Sequence, residues 1–417
     1  MYDNNQITKD LLKRFKKLRK TTVDFTSNLD PEDMVIQTNE FVSPTKWHLA
    51  HTTWFFENFI LKKKKNYKIF CKSFNYLFNS YYKQVGSYNP KMKRGIISRP
   101  YIKDIFKYRE YVDEKITEIL NNSRVDQDIL FLIELGINHE QQHQELMIMD
   151  ILNVFSSNPI FPNFLNKKTK LKKKASSNIF WKRNTKTTLN FGANNNYFAY
   201  DNEYPRGKCD LPPFELSKNF VTNSEWQEFI DNDGYNRPEF WLSDGWEFIK
   251  KLNVSKPLYW IDENHEFTLY GLEKMTKDKP VSNISFYEAY AFSKFKKKRL
   301  PSEFELELYL QNHKKNGNFL ENNCFEPIVF DENELDQNAY GNLWSWTSSN
   351  YSPYPGYKPF QDKLGEYNQK FMCNQFVLKG GSFSTPKDHI RSSYRNFYYP
   401  TDRWHFCGLK LANDLDG

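Results

Sequence analysis

Across residues 1–160 apolar side chains recur every three to four positions, the repeat of one helix face. Leu11, Leu12, Phe15 and Leu18 mark a helix over 8–20. A second is predicted to open at Ser43-Pro44, a favourable N-cap followed by a favourable first-turn proline, and to run through His51 to about residue 61. Two more are predicted over 102–120 and 126–155. Four amphipathic segments of this length predict an antiparallel bundle, a scaffold whose core commonly holds metals between facing helices. The pattern breaks after residue 156. Pro159, Pro162 and six lysines within 167–174 read as a linker or crossover over 161–187. Short alternating segments, scattered aromatic residues and many turn residues follow over 188–417, interrupted by helical patches near 223–231 and 285–296. The expected fold is therefore α plus α+β in two domains, a helical bundle over 1–160 and an irregular α+β domain over 188–417.

Composition narrows this reading only a little. A chain of 417 residues can bury two or three cores, and 17% aromatic residues predict cores rich in rings. The net charge of +8 is spread through lysine clusters at 62–65, 167–174 and 294–298. Such runs are usually solvated faces, and no nucleic-acid motif accompanies them. The five cysteines are odd in number and contain no C-x-x-C pair, so neither a disulfide framework nor a zinc ribbon is expected. No apolar leader and no run approaching 18 apolar residues is present, which points to a cytoplasmic protein with reduced thiols and no membrane contact.

The chemistry concentrates in two short segments. His139 and His143 lie four apart in His139-Glu140-Gln141-Gln142-His143, so on a helix both imidazoles face one side. Leu132, Gly136, His139, His143, Leu146 and Asp150 form a single stripe, with Gly136 expected to leave room beside a metal. A third imidazole is available in Trp47-His48-Leu49-Ala50-His51. A lone histidine is usually a satisfied core or surface residue, but an i, i+4 pair with a second cluster on another helix favours a metal centre. Three neutral imidazoles suit a divalent transition metal and leave positions open for substrate, without choosing between zinc and iron. The same string matches the H-E-x-x-H helix of zinc proteases. Those need a third ligand downstream, yet between Leu146 and Asn202 the only acids are Asp150 and Asp201, and no histidine occurs.

The residues around these histidines resemble the ergothioneine-pathway sulfoxide synthases. The resemblance is carried by 43–57 and by Gly136-Ile137-Asn138-His139-Glu140-Gln141-Gln142-His143-Gln144-Glu145. In the C-terminal half it is carried by Phe240-Trp241-Leu242-Ser243-Asp244-Gly245-Trp246, Gly341-Asn342-Leu343-Trp344-Ser345-Trp346, Leu378-Lys379-Gly380-Gly381-Ser382 and Tyr394-Arg395-Asn396-Phe397. It implies a DinB-like four-helix bundle joined to a formylglycine-generating-enzyme-like, lectin-related domain. It implies a non-haem Fe(II) held by His51, His139 and His143, with His48 as a structural neighbour and O2 as co-substrate. The implied reaction joins the sulfur of a cysteine derivative to C2 of the imidazole of hercynine (trimethylated histidine) and leaves a sulfoxide.

A phenol near such a centre can supply a proton, or a proton and an electron; without one, simple thiol oxygenation is expected to compete with C–S bond formation. Tyr81 and Tyr82 resemble the branch that carries two adjacent tyrosines in the first domain and uses free cysteine. A branch that uses γ-glutamylcysteine draws its tyrosine from the second domain and has an aspartate where this chain has Tyr398. By the same resemblance Gln142 reaches the substrate imidazole, and Asn396, Phe397 and Tyr398 form a substrate-facing loop. A selenium-using relative and a zinc-dependent thiol transferase are the alternatives. The partners expected are small molecules, and the sequence leaves a homo-oligomer open.

Overall fold

The computed structural model describes residues 4–122, 124–166, 168, 179–336 and 339–415. It divides into two compact units, Met1–Ile160 and Phe161–Gly417. No helix among the described residues is long and apolar enough to cross a membrane.

The first unit is built on α1 (Asn4–Asp24), α2 (Thr45–Phe59), a short α3 (Phe74–Phe78), α4 (Ile102–Leu120) and α5 (Gln127–Ser156). Helix α1 buries Leu11, Phe15 and Leu18 along one stripe, as its spacing predicts. Helix α2 is different: nearly every residue from Thr45 to Phe59 is buried, so it runs through the centre of the unit rather than along its surface. Its first residue is Thr45, and Pro44 occupies the cap position without a side-chain hydrogen bond. Ser43, expected as the N-cap, is used otherwise. Its backbone N–H donates to Asp150 (2.8 Å) and its hydroxyl accepts from Arg94 (2.9 Å). Helix α5 starts where Asp126 accepts from the Asp128 N–H at 2.8 Å.

A buried ionic knot ties these helices together. Glu140 on α5 accepts from Arg19 on α1 (2.6 Å) and Arg109 on α4 (2.8 Å), while both arginines also reach Thr53 on α2. Burial opposes the charge on Glu140, but the two guanidiniums outweigh it and hold the carboxyl down at about 2. A carboxylate so fully engaged is not a protease general base, which agrees with setting the H-E-x-x-H reading aside.

The second unit contains β1 (Trp181–Asn184), β2 (Thr187–Phe191), β3 (Gly207–Leu211), β4 (Phe214–Ser217), α6 (Asn223–Asp231), α7 (Ser243–Leu252), β5 (His265–Thr268) and β6 (Gly271–Lys274). It continues with α8 (Phe286–Phe295), α9 (Glu303–Gln311), β7 (Gly317–Asn318), α10 (Glu332–Leu335), β8 (Tyr340–Gly341) and β9 (Trp344–Asn350). It ends with β10 (Phe376–Lys379), β11 (Asn396–Tyr398), β12 (Cys407–Gly408) and β13 (Ala412–Asp414). The strands form a three-stranded sheet in the order β1-β4-β13, a four-stranded sheet β11-β10-β9-β12 and three two-stranded ribbons. Trp226 on α6 stacks on Phe292 of α8 at 4.9 Å, and Phe214, Trp344, Trp346 and Tyr351 fill the interior.

Both ends of the stretch expected as a linker belong to this unit. The Phe164 and Leu165 N–H groups donate to the Leu269 carbonyl, and β1 pairs with β4. The lysine-rich centre of that stretch lies outside the described residues apart from Lys168, which pairs with Glu273 (2.6 Å) and Glu326 (3.1 Å). Helices α7 and α9 fall where short alternating segments were expected. In α9, Glu303, Glu305 and Glu307 alternate with apolar residues as a strand would, yet all three are buried and paired with Arg395, Arg299 and Lys379. The Ser302–Glu305 capping box starts the helix.

Candidate metal centre

His51 on α2 and His139 and His143 on α5 converge. One nitrogen from each lies within 4.8 Å of the others, and the Nε2 atoms of His51 and His139 are 3.3 Å apart. Two nitrogens bound to one transition metal at about 2.1 Å stand roughly 3.0–3.4 Å apart, so this pair has the spacing of shared ligation.

The rings are held by their second nitrogens and by aromatic walls. Short α3 ends with carbonyls that have no partner within the helix. Two of them are used by α2: Phe78 O accepts from His51 Nδ1 at 2.7 Å, and Leu77 O accepts from the Trp47 indole at 3.2 Å. A carbonyl only accepts, so His51 carries its proton on Nδ1 and presents the Nε2 lone pair to the cluster. Trp47 stacks on His51 at 4.5 Å and 10°, and Trp54 covers the ring at 5.5 Å and 19°. Phe55 lies 4.4 Å from His139. The guanidinium of Arg94 sits 3.4 Å above Trp47, completing a stack of cation, indole and imidazole.

All three rings are buried, with His51, His139 and His143 exposed by 1%, 3% and 9%. Burial, and then the neighbouring imidazoles, push His51 and His143 well below the ordinary histidine range. Burial lowers His139 to about 3 even though Glu140 opposes it. All three are therefore neutral donors at pH 7, the state a cation needs. The donor set fits a divalent transition metal.

The remaining sequence candidates fall at different places. His48 is not in the cluster; its Nδ1 lies 2.8 Å from His143 Nδ1 and its Nε2 lies 2.9 Å from Asp150. Gln142 is half-buried beside His143 on α5. Tyr82 is fully buried, stacks on half-buried Tyr81 at 4.6 Å and packs 5.8 Å from Trp54, which also packs on His51. Its position is set by Asn79, whose side chain accepts from the Tyr82 N–H and donates to the Tyr82 carbonyl, both at 3.0 Å. In the second unit Asn396, Phe397 and Tyr398 form β11, each half-buried. Phe397 stacks on Tyr351 at 4.1 Å, and Tyr398 stacks on His405 at 3.9 Å.

Gly136 corrects an expectation. A Cβ there would lie 2.5 Å from Phe56 Cε1, so the space above the glycine is filled by a phenyl ring and is not kept for a metal. Sequence reasoning also missed the roles of Phe78 O and Asp150. The carbonyl carries no sequence signal, whereas Asp150 lies seven residues after His143, on the same stripe.

Residues 184–327 and 321–415 match the sulfatase-modifying factor enzyme 1-like domain. The chain is 26% identical over 313 residues to the hercynine oxygenase of Mycolicibacterium thermoresistibile, covering 69% of each protein. It is 28% identical over 315 residues to the hercynine oxygenase of Mycobacterium tuberculosis, covering 68% of this chain and 72% of that one. Ergothioneine biosynthesis protein 1 of Schizosaccharomyces pombe is 26% identical over 238 residues, 52% of this chain and 28% of that protein.

Proposed function

Because the chain belongs to the sulfatase-modifying factor enzyme 1-like family and, with its relatives, to the ergothioneine-pathway oxygenases, we propose that it is a non-haem iron sulfoxide synthase. In this reading it joins the sulfur of cysteine, or of γ-glutamylcysteine, to C2 of the hercynine imidazole. Thiol, imidazole C–H and O2 give the sulfoxide and one water, so O2 takes up four electrons and supplies the sulfoxide oxygen. The observation that carries the reading is the convergence of three neutral imidazoles from two helices.

His51, His139 and His143 would hold Fe(II). Bound there, the ion would supply O2 activation and deprotonation of a thiol whose free pKa is about 8.5. The protein's own residues do the rest. Trp47, Trp54 and Phe55 keep water from the imidazoles, and the Phe78 carbonyl keeps the proton of His51 away from the cluster. Tyr81 and Tyr82 are the proposed proton donors, supported by their place in the same unit as the three histidines and by the half-exposure of Tyr81, which gives the pair a route to solvent. Gln142 is the proposed contact to the substrate imidazole. Asn396, Phe397 and Tyr398 are proposed to face substrate from β11, where the rings of Phe397 and Tyr398 suit a trimethylammonium group.

The test is direct. Protein loaded anaerobically with Fe(II) and given hercynine, cysteine and O2 is expected to form hercynylcysteine sulfoxide, identified by mass spectrometry. No product with cysteine, γ-glutamylcysteine or a selenium donor would refute the assignment.

A further inference from the structure

The hydrogen bonds behind His143 form a chain that the oxygenase reading does not require. Asp150 Oδ2 accepts from the backbone N–H of Ser43 at 2.8 Å and also faces His48 Nε2 at 2.9 Å. His48 Nδ1 in turn faces His143 Nδ1 at 2.8 Å. His48, Asp150 and Ser43 are all buried, so each bond forms away from competing water. The Asp150 oxygen accepts from Ser43 and accepts again here, so this contact uses a proton on His48 Nε2. His48 Nδ1 is then a lone pair, and it can meet His143 only if His143 carries its own proton on Nδ1. That leaves His143 Nε2 as the free donor atom.

We propose that His48 and Asp150 are positioning residues that fix the tautomer and ring orientation of His143 and so preset it as a metal ligand. The proposal rests on the three-histidine reading above. His51 receives the same service from a different acceptor, the Phe78 carbonyl. The two ligands are thus set by unlike devices, one a backbone carbonyl at the end of α3 and the other a two-residue relay that crosses from α5 to α2 and back. His48 stands three residues before His51, and Asp150 stands two helical turns after His143. The relay therefore also fixes the register in which α2 faces α5. Outer partners of metal-bound histidines commonly change metal affinity by about 10–100-fold when they are removed.

Two measurements test this on the full chain. In metal-free, 15N-labelled protein, long-range 1H–15N correlations are expected to show His143 as the Nδ1–H tautomer and His48 as the Nε2–H tautomer. His143 with its proton on Nε2 would overturn the proposal without any variant. In Co(II) titrations followed by visible absorbance, His48→Phe is expected to weaken binding about 10–100-fold. His48→Gln, whose amide oxygen can accept from His143 Nδ1–H, should recover most of that loss at an unchanged melting temperature. His48→Phe binding within about twofold of wild type would overturn the relay while leaving the metal centre standing. Wild-type protein that binds no Co(II), as His143→Ala is expected to do, would remove the metal reading and the relay together.

Discussion

Gly136→Ala separates two uses of the space on the stripe of α5 that carries His139 and His143. If that space served an ion, a methyl group would leave the metal-free protein intact or firmer, because alanine favours a helix over glycine by about 0.8–1 kcal/mol. The structure predicts the opposite. The added Cβ would meet Phe56 at 2.5, 2.9 and 3.1 Å, whereas carbon atoms in contact stand about 3.5–4.0 Å apart. The ring or the helix must therefore shift by about 1 Å. Phe56 is fully buried, lies edge-on to Phe15 at 5.1 Å and has the Arg19 guanidinium 5.6 Å from its ring, so it cannot retreat cheaply. Overpacking of this kind costs about 1–3 kcal/mol. Less the helix gain, the net loss is about 0–2 kcal/mol, or up to roughly 8 °C for a unit of this size. Thermal and urea unfolding of metal-free protein, followed by the helix signal, measures it. Phe56→Leu should be better tolerated in the alanine background than in wild type, with a coupling of about 1 kcal/mol. A Gly136→Ala protein that melts above wild type would refute the reasoning.

Replacing Tyr81 and Tyr82 together by Phe is expected to shift turnover from the sulfoxide toward cysteine sulfinate; unchanged product ratios in chromatographic assay would move the proton donor elsewhere. Glu140→Gln should cost about 3–5 kcal/mol of stability, because Arg19 and Arg109 lose their shared buried partner. Lost activity at unchanged urea stability would instead give Glu140 a catalytic role. Burial lowers His405 to about 3, whereas an unfolded histidine titrates near about 6.5. The unfolded chain thus takes up that proton first. Stability is whole above pH 6.5 and falls as the pH drops toward 3, by about 1 kcal/mol for this residue between pH 6.5 and 5.5. His405→Phe should flatten the slope by that amount, and parallel slopes would contradict the assignment.

What could be read in advance follows from how local each signal is. Helices α4 and α5 carry their own periodicity and end within a residue or two of the predicted bounds. The pair His139 and His143 needs only the turn of a helix, so its shared face was legible from spacing alone. Helix α9 misled because its glutamates at every second position look like a strand's solvent face. They are buried because Arg299, Lys379 and Arg395, distant in sequence, pair with them. Gly136 misled for a related reason. Its position on the stripe was evident, but Phe56, which fills the space, comes from another helix.

The same distinction explains why the clustered histidines were easier to find than the groups that orient them. An imidazole advertises itself by residue type, but its tautomer depends on what its other nitrogen meets. For His51 that is the carbonyl of Phe78, which any residue type could supply. For His143 it is His48, 95 positions away in the chain, and the bond exists only because α2 and α5 pack in one register. Asp150 adds a constraint on that register, since one oxygen binds both His48 and the backbone just before α2. A shift of α2 along α5 by one residue, about 1.5 Å, would break both bonds at once and turn His51 away from His139. Packing and chemistry are in this sense one specification: the contacts that seat α2 in the bundle are also those that decide which nitrogens face each other.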